Sequence, residues 1–489
     1  MTETERLMPS GGFRNRKSSF TGHLILSMVV ACLGSLQYGY HIAELNAPQQ
    51  FLSCSKFNSP DENISYGDTW LGQHGLKQCI PLSDSQFGAV TSILSIGGLF
   101  GSYYAGNWAN RFGRKYVSMG ASAMCMVSSL ILFYSNSYLQ LLFGRFLAGM
   151  SCGTAIVITP LYINEIAPVE WRGAMGSMNQ VSINLGILLT QTLALKYADS
   201  YNWRWLLFAG SVIAVTSVLI WLRVDESPRW LLNKGLVPEA EMALFKLRPG
   251  TYQQAKQEIQ DWQRGDTQDR DSESGAETTH SGPTLWQYVR DPSYKKPRTV
   301  ILTILSCQQF CGINSIIFYG VKVIGNLLPD YSIRINFAIS ILNVVVTLVA
   351  SAIIDHVGRR PLLLASTTVM TAMSLLISVG LTMSVSFLLV AATFVYIAAF
   401  AIGLGPIPFL IIGELSYPQD AATAQSFGTV CNWLATFITG YLFPIAHGLM
   451  GGYVFATFAA IAALFATYVY KRVPETKGKT TYSEVWTGF

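Results

Sequence analysis

Runs of about twenty apolar residues recur along the whole chain, and a run of that length crosses roughly 30 Å of hydrocarbon as a helix. Twelve helical spans are predicted, near residues 22–45, 84–107, 116–135, 138–160, 173–196, 203–223, 299–321, 333–354, 361–381, 384–411, 421–445 and 447–470. Of 489 residues, 51% are hydrophobic and only 12% are charged, about half the charged share of ordinary soluble domains. The mean hydropathy of +0.35 agrees. A soluble globule is excluded, and with it most enzymes and nucleic-acid binders. The net charge of +5 is small, and basic runs stop at pairs such as Lys295-Lys296 and Arg359-Arg360, so no polyanionic partner is implied.

Charge also sets the orientation. Of the 33 Lys and Arg residues, 26 fall at ends that share one side with the amino terminus, which puts both termini in the cytoplasm. The domain reading is an N-terminal tail over 1–21, a first six-helix half over 22–223, a central cytoplasmic loop over 224–298, a second half over 299–470 and a C-terminal tail over 471–489. Residues Glu239 to Leu247 show a short amphipathic helical pattern. The polar stretch Asp261 to Pro283 reads as partly disordered. No cleavable signal precedes the first span, so that span is expected to remain as an anchor.

Six of the eight cysteines lie in apolar runs, and only Cys54 and Cys79 sit in the polar 46–83 loop. A disulfide between them is expected, since this loop alone meets an oxidising compartment. The same loop carries the sequon Asn63-Ile-Ser65, a candidate for glycosylation. No metal-binding spacing and no cofactor motif is visible.

Short motifs repeat at nearly one offset. Asn110-Arg-Phe-Gly-Arg-Lys115 pairs with Asp355-His-Val-Gly-Arg-Arg360, 245 residues on; Tyr162-Ile-Asn-Glu165 pairs with Ile411-Ile-Gly-Glu414, and Glu226-Ser-Pro-Arg229 with Glu475-Thr-Lys-Gly478, both 249 residues on. Such repeats imply two parallel six-span halves, an arrangement of secondary transporters.

Polar residues inside the spans mark the interior. In span 5, Gln180, Asn184, Ile187 and Gln191 recur at helical spacing; in span 11, Gln425, Thr429, Asn432, Trp433 and Thr436 form a similar stripe. Gln308, Gln309 and Asn314 in span 7 and Asn343 in span 8 add to them. Unpaired amides cost too much against lipid, so these faces point inward, either lining a path or joining helices. Amides donate and accept, which suits a neutral polyol better than an ion or a fatty chain. In span 1, Gln37, Tyr40, His41 and Glu44 share one polar face. A histidine titrates near neutral pH, so His41 with Glu44 is a proton-coupling candidate, the other reading being a neutral hydrogen-bonding imidazole.

These motifs, with Gly-Tyr-His-Ile-Ala-Glu-Leu-Asn-Ala-Pro-Gln (39–49), Gly-Arg-Phe (144–146), Glu-Ile-Ala-Pro (165–168), Gln-Gln-Phe-Cys-Gly-Ile-Asn (308–314), Gly-Pro-Ile-Pro (405–408) and Pro-Glu-Thr-Lys-Gly (474–478), resemble the sugar porters of the major facilitator superfamily. The resemblance runs from Tyr38 to Thr480. It implies an all-α membrane fold of twelve helices in two six-helix halves, with short cytoplasmic helices in the central loop. By resemblance, Gln180, Gln308, Gln309, Asn314, Asn343 and Trp433 line the solute site, with Ile183 and Ile187 as its apolar wall. Phe409 stands where many hexose carriers have tryptophan, and Ala401 where they have glutamate, so hexose specificity does not carry over. Leu305 also replaces a glutamine, and Asn110 an aspartate. Arg111, Arg114, Glu165, Arg172, Arg229, Arg359, Arg360 and Glu414 match the family's cytoplasmic gate.

The function expected is carriage of a small neutral sugar or polyol by alternating access, with protons as candidate co-substrate, no cofactor and no nucleic acid, in a monomer held in the bilayer. The rival is a transporter-like sensor or sorting factor without turnover. Resemblance to carriers of vacuolar or internal membranes favours the vacuolar membrane over the plasma membrane.

Overall fold

The computed structural model describes residues 20–55, 65–168, 171–272, 284–416, 420–479 and 482–487. The first half holds α1 (Gly22–Ala43), α2 (Asp84–Phe112), α3 (Arg114–Phe133), α4 (Tyr138–Ile166), α5 (Arg172–Tyr197) and α6 (Trp203–Trp221). Three helices of the central region follow: α7 (Pro228–Asn233), α8 (Val237–Leu247) and α9 (Tyr252–Ser272). The second half holds α10 (Lys295–Phe310), α11 (Ile313–Gly325), α12 (Ser332–Val357), α13 (Arg359–Thr382), α14 (Ser386–Ala399), α15 (Ile407–Leu415), α16 (Ala421–Met450) and α17 (Val454–Arg472).

Local chemistry starts and stops these helices. The Thr21 hydroxyl accepts from the Leu24 N–H to open α1, and Ser83 with Gln86 forms a reciprocal cap on α2, satisfying donors that the first helical turn leaves free. Among the described residues, nine segments are long and apolar enough to cross a membrane by length and composition, the last containing both α16 and α17. The glycine- and serine-rich α2 and the amide-rich α5 fall outside that set, their polar and small residues lowering their hydropathy, but complete twelve spans. Side chains such as Leu139, Phe143, Leu219, Phe387 and Leu464 stay exposed around the outside, an apolar girdle that a bilayer covers.

The packing repeats the sequence repeat. Within the first half α1 lies on α5 and α3 on α6; in the second, α10 lies on α16 and α13 on α17. The two halves meet along α2 against α16 and α5 against α12.

Two spans expected as continuous helices are broken. Span 7 divides at Gly312, whose φ of +98° disfavours a side chain and where a Cβ would come within 2.4 Å of the Phe458 ring. Span 10 passes through a wider π-turn at Phe400–Leu404, ahead of Pro406 and Pro408. The central region holds more helix than the polarity of 261–283 suggested, for α9 runs on to Ser272. Residues 273–283 lie outside the described ones.

The central region sits on one face of the bundle and is fastened to the first half. Leu231, Ala240, Leu244, Ala255 and Ile259 form its small core, Arg248 donates to the Ile166 carbonyl (2.7 Å), and Thr21 to the carbonyl of Lys246 (3.1 Å). On the opposite face, Cys54 and Cys79 are joined with Cα atoms 5.3 Å apart. Buried Arg204 gathers this loop, donating to the carbonyls of Phe133, Ser135 and Lys77 at 2.7, 2.7 and 2.8 Å. The sequon Asn63 lies outside the described residues.

Closing a loop with 25 residues of separation restricts the unfolded chain by about 3 kcal/mol. Replacing both Cys54 and Cys79 by Ser should therefore lower the thermal unfolding midpoint of detergent-purified protein well below wild type. An unchanged midpoint would mean that Arg204 alone holds the loop.

Candidate functional site

Three polar clusters occupy the middle of the bundle. The first fills the two breaks of the second half. Pro408 has no N–H to give the Leu404 carbonyl, four residues earlier, and the Gln308 amide supplies it at 2.7 Å, with a second bond to Gly405 at 3.3 Å. The Gln308 oxygen accepts from Asn432 (2.9 Å) and from Gln309 (3.3 Å). Gln309 in turn accepts from Asn314 at 2.5 Å. Gln308, Gln309 and Asn314 are thus brought together, but with their amides spent on one another and on backbone. Asn432, which the sequence placed only in a stripe, proves to be a member. Phe409 is half-buried against the core nearby.

The second cluster crosses between the halves. Asn184 on α5 donates to Thr347 (2.7 Å) and to Asn343 (3.3 Å) on α12, and Asn343 donates back at 3.3 Å. Gln180 leans on Asn184 at 3.4 Å. Ile183 and Ile187 are buried on the same helix. Trp433 also crosses, its indole N–H donating to Ser102 on α2 at 3.0 Å.

The third cluster lies inside the first half, with every member buried. His41 Nδ1 is 3.0 Å from Glu44, and its Nε2 3.0 Å from the Cys125 sulfur. Arg145 donates to the other Glu44 oxygen (2.7 Å) and to the His41 carbonyl (2.6 Å). Glu44 thus bridges His41 and Arg145, and the arginine and glutamate charges balance each other. Arg145 escaped the candidate set although a lone cation inside an apolar span is a functional signal.

At the central-loop face the repeat becomes atomic. Arg114 pairs with Glu165 at 2.6 Å, and Arg359 with Glu414 at 2.9 Å. Each arginine also donates to the carbonyl five residues before it, Ala109 and Ile354. Glu226 accepts from the backbone N–H groups of Arg114 (2.9 Å) and Lys115 (3.0 Å), and Glu475 from those of Arg359 and Arg360 (both 3.0 Å), carboxylates seated on helix N-termini. Gly113 and Gly358, with φ of +93° and +106°, make room for them. Burial pushes the Glu226 carboxyl up from its ordinary value, against the pull of these backbone donors. Glu226 and Glu475 were visible as repeated motifs but not recognised as partners of the arginines. The side chain of Arg111 lies over Phe112, that of Arg229 over Trp262 and that of Arg360 over Tyr470. The Arg172 side chain lies outside the described ones.

The pattern of the "Sugar (and other) transporter" family matches residues 27–486. The chain belongs to this family. It is 87% identical, over the full length of both chains, to a protein of Saccharomyces cerevisiae named probable metabolite transport protein. It is 49% identical to vacuolar protein sorting-associated protein 73 of the same yeast, over 95% of this chain and 96% of the relative. The fold matches that of the proton:xylose symporter XylE, solved with 6-bromo-6-deoxy-D-glucose, at a TM-score of 0.74 and 22% identity, covering 94% of this chain and 97% of that one. The chain is therefore an integral membrane transporter of major facilitator fold, and not an enzyme.

Because Gln308 mends the α14–α15 break, Gln308→Ala should cost about 1 to 3 kcal/mol of stability by leaving the Leu404 carbonyl unpaired and taking from Asn432 one of its two acceptors, the Leu305 carbonyl remaining. Gln309→Ala, which leaves those bonds in place, should cost less. Thermal unfolding of the two purified variants checks the order; equal midpoints would show that the break needs no such repair.

Proposed function

We propose that the protein carries a small neutral sugar or polyol across its membrane by alternating access of the two halves, with the solute held between them at mid-depth. The observation that carries this reading is the chemistry of the seam. Where the halves meet at mid-depth, the bonds that cross are made by Asn184, Asn343, Thr347, Ser102 and Trp433, all uncharged. Hydroxyl groups of a sugar can replace such bonds one for one, with no charge to desolvate. The residues proposed to line the path are Gln180, Ile183, Ile187, Gln308, Gln309, Asn314, Asn343, Phe409 and Trp433.

The charged clusters at the central-loop face, Arg114 with Glu165 and Arg359 with Glu414, form the proposed inner gate. Each of these pairs lies within one half. At the disulfide face the halves touch: Asn46 accepts from the Val321 N–H at 3.1 Å, and Lys322 pairs with Asp84 at 2.7 Å. We read this as a state shut on the disulfide side, with that side lumenal and both termini cytoplasmic. Kinship with a protein named for vacuolar sorting supports the vacuolar membrane. It equally supports the rival reading, a sorting factor without turnover.

We further propose that pH acts through His41. Its surroundings are Glu44 and Tyr40 on its own helix, Cys125 on α3, and Arg145 with Cys152 on α4. A proton on both ring nitrogens would make the imidazole the donor to the Cys125 sulfur, a weak acceptor, and leave one uncompensated charge, favouring whichever conformation admits water to the cluster.

Purified protein in liposomes should take up at least one member of a panel of hexoses, pentoses, polyols and disaccharides, with and without a pH gradient. No uptake of any member would favour the sorting factor. For the carried solute, His41→Asn should flatten the rate profile between about pH 5 and 8 while retaining flux. A profile identical to wild type would reduce His41 to a neutral hydrogen-bonding side chain.

A further inference from the structure

Trp433 belongs to the second half, yet its neighbours at the seam belong to the first. The ring lies 5.3 Å edge-on from Tyr38 of α1. Its indole N–H donates to Ser102 of α2 at 3.0 Å, and the Ser102 hydroxyl donates onward to the Gly153 carbonyl of α4, also at 3.0 Å. One turn before Ser102 stands Gly98, where a Cβ would come within 2.5 Å of the indole ring. A bare floor and a hydroxyl one turn along the same helix face therefore form a fitted seat.

The seat is rigid. A Cβ at Gly153 would meet the Gly98 carbonyl at 2.1 Å, and one at Gly101 the Met150 carbonyl at 2.1 Å, so α2 and α4 touch backbone to backbone. Trp433 itself is buried, 2% exposed.

We propose that Gly98 and Ser102 are positioning residues that park Trp433, and that solute and seat compete for the same indole. This rests on the reading of Trp433 as part of the solute path. Parked, the indole has its N–H engaged and one ring face spent on Gly98. When the halves rock apart along α2 and α16 the ring leaves the seat, and both groups become free for a sugar: the face for C–H surfaces, the N–H for a hydroxyl. The depth of the seat then sets the affinity, because each bound solute must displace it.

The test has two arms. Without solute, hydrogen exchange of α2 and α16 is measured in wild type, Ser102→Ala, Trp433→Phe and the double variant. Each single change should speed exchange in both helices, and the double should add nothing further, since either change removes the same bond. Additive effects, or a response confined to the mutated helix, would overturn the seat. In the second arm, binding of D-glucose, D-xylose and D-sorbitol is measured for wild type, Ser102→Ala and Ser102→Thr. Losing one hydrogen bond to the competing seat should tighten binding of the carried solute by about three- to tenfold in Ser102→Ala, with Ser102→Thr returning toward wild type. Unchanged affinity in Ser102→Ala, with the exchange coupling intact, would overturn the competition and leave a latch between halves. Absence of binding by wild type for all three, with uptake of the wider panel also absent, would instead defeat the transport reading itself. Gly98→Ala should act like Ser102→Ala; if it fails to fold, the serine variants carry the test.

Discussion

In hydrocarbon there is no water to satisfy a peptide group, and every interruption of a helix must be mended from within the protein. That constraint organises the second half. Span 7 breaks at Gly312, span 10 at its π-turn and two prolines, and the repair is a side chain of one acting on the backbone of the other. The breaks are thus a joint feature of two spans, stitched by Gln308 and tied to α16 through Asn432. Polar groups at mid-depth are then doing structural service in the same place where a solute would need them. A carrier of neutral solutes can tolerate this overlap, because amide-to-amide and amide-to-hydroxyl bonds are close in energy and can be exchanged with little net cost.

The first half meets the same constraint differently. Its spans run unbroken, and it places charge inside instead: Arg145 and Glu44 form a buried ion pair, with His41 bridging Glu44 and Cys125. Buried ion pairs seldom stabilise a fold outright, so their presence points to a conformational role. At the central-loop face both halves return to one design, an arginine following a glycine with positive φ, flanked by two carboxylates.

Much of this was legible in the chain. Span length gave twelve helices and the internal repeat two halves, and the repeated Gly-Arg and Glu motifs located the arginine clusters, because glycine at a helix start and a carboxylate reaching it are local devices that leave fixed spacings. What stayed hidden depends on distance in space. No spacing says that Gln308 answers Pro408, a hundred residues away, or that Trp433 rests on Gly98. Glu226 and Glu475 were visible as repeats but unassigned, since their partners are backbone amides that any residue supplies. Within the polar stretch 261–283, read as partly disordered, α9 runs on to Ser272, an end that composition alone does not mark.

The helices α7 to α9 are fastened to the first half through Arg248, Lys246 and Thr21. The short helix Tyr482–Trp486 is fastened to the second, with the Trp486 indole donating to the Leu415 carbonyl at 3.3 Å. Each half thus carries its own rigid flag on the same face of the bundle. A pair of spectroscopic labels, one on each flag, would convert the relative angle of the halves into a single measurable length, without touching any residue of the interior.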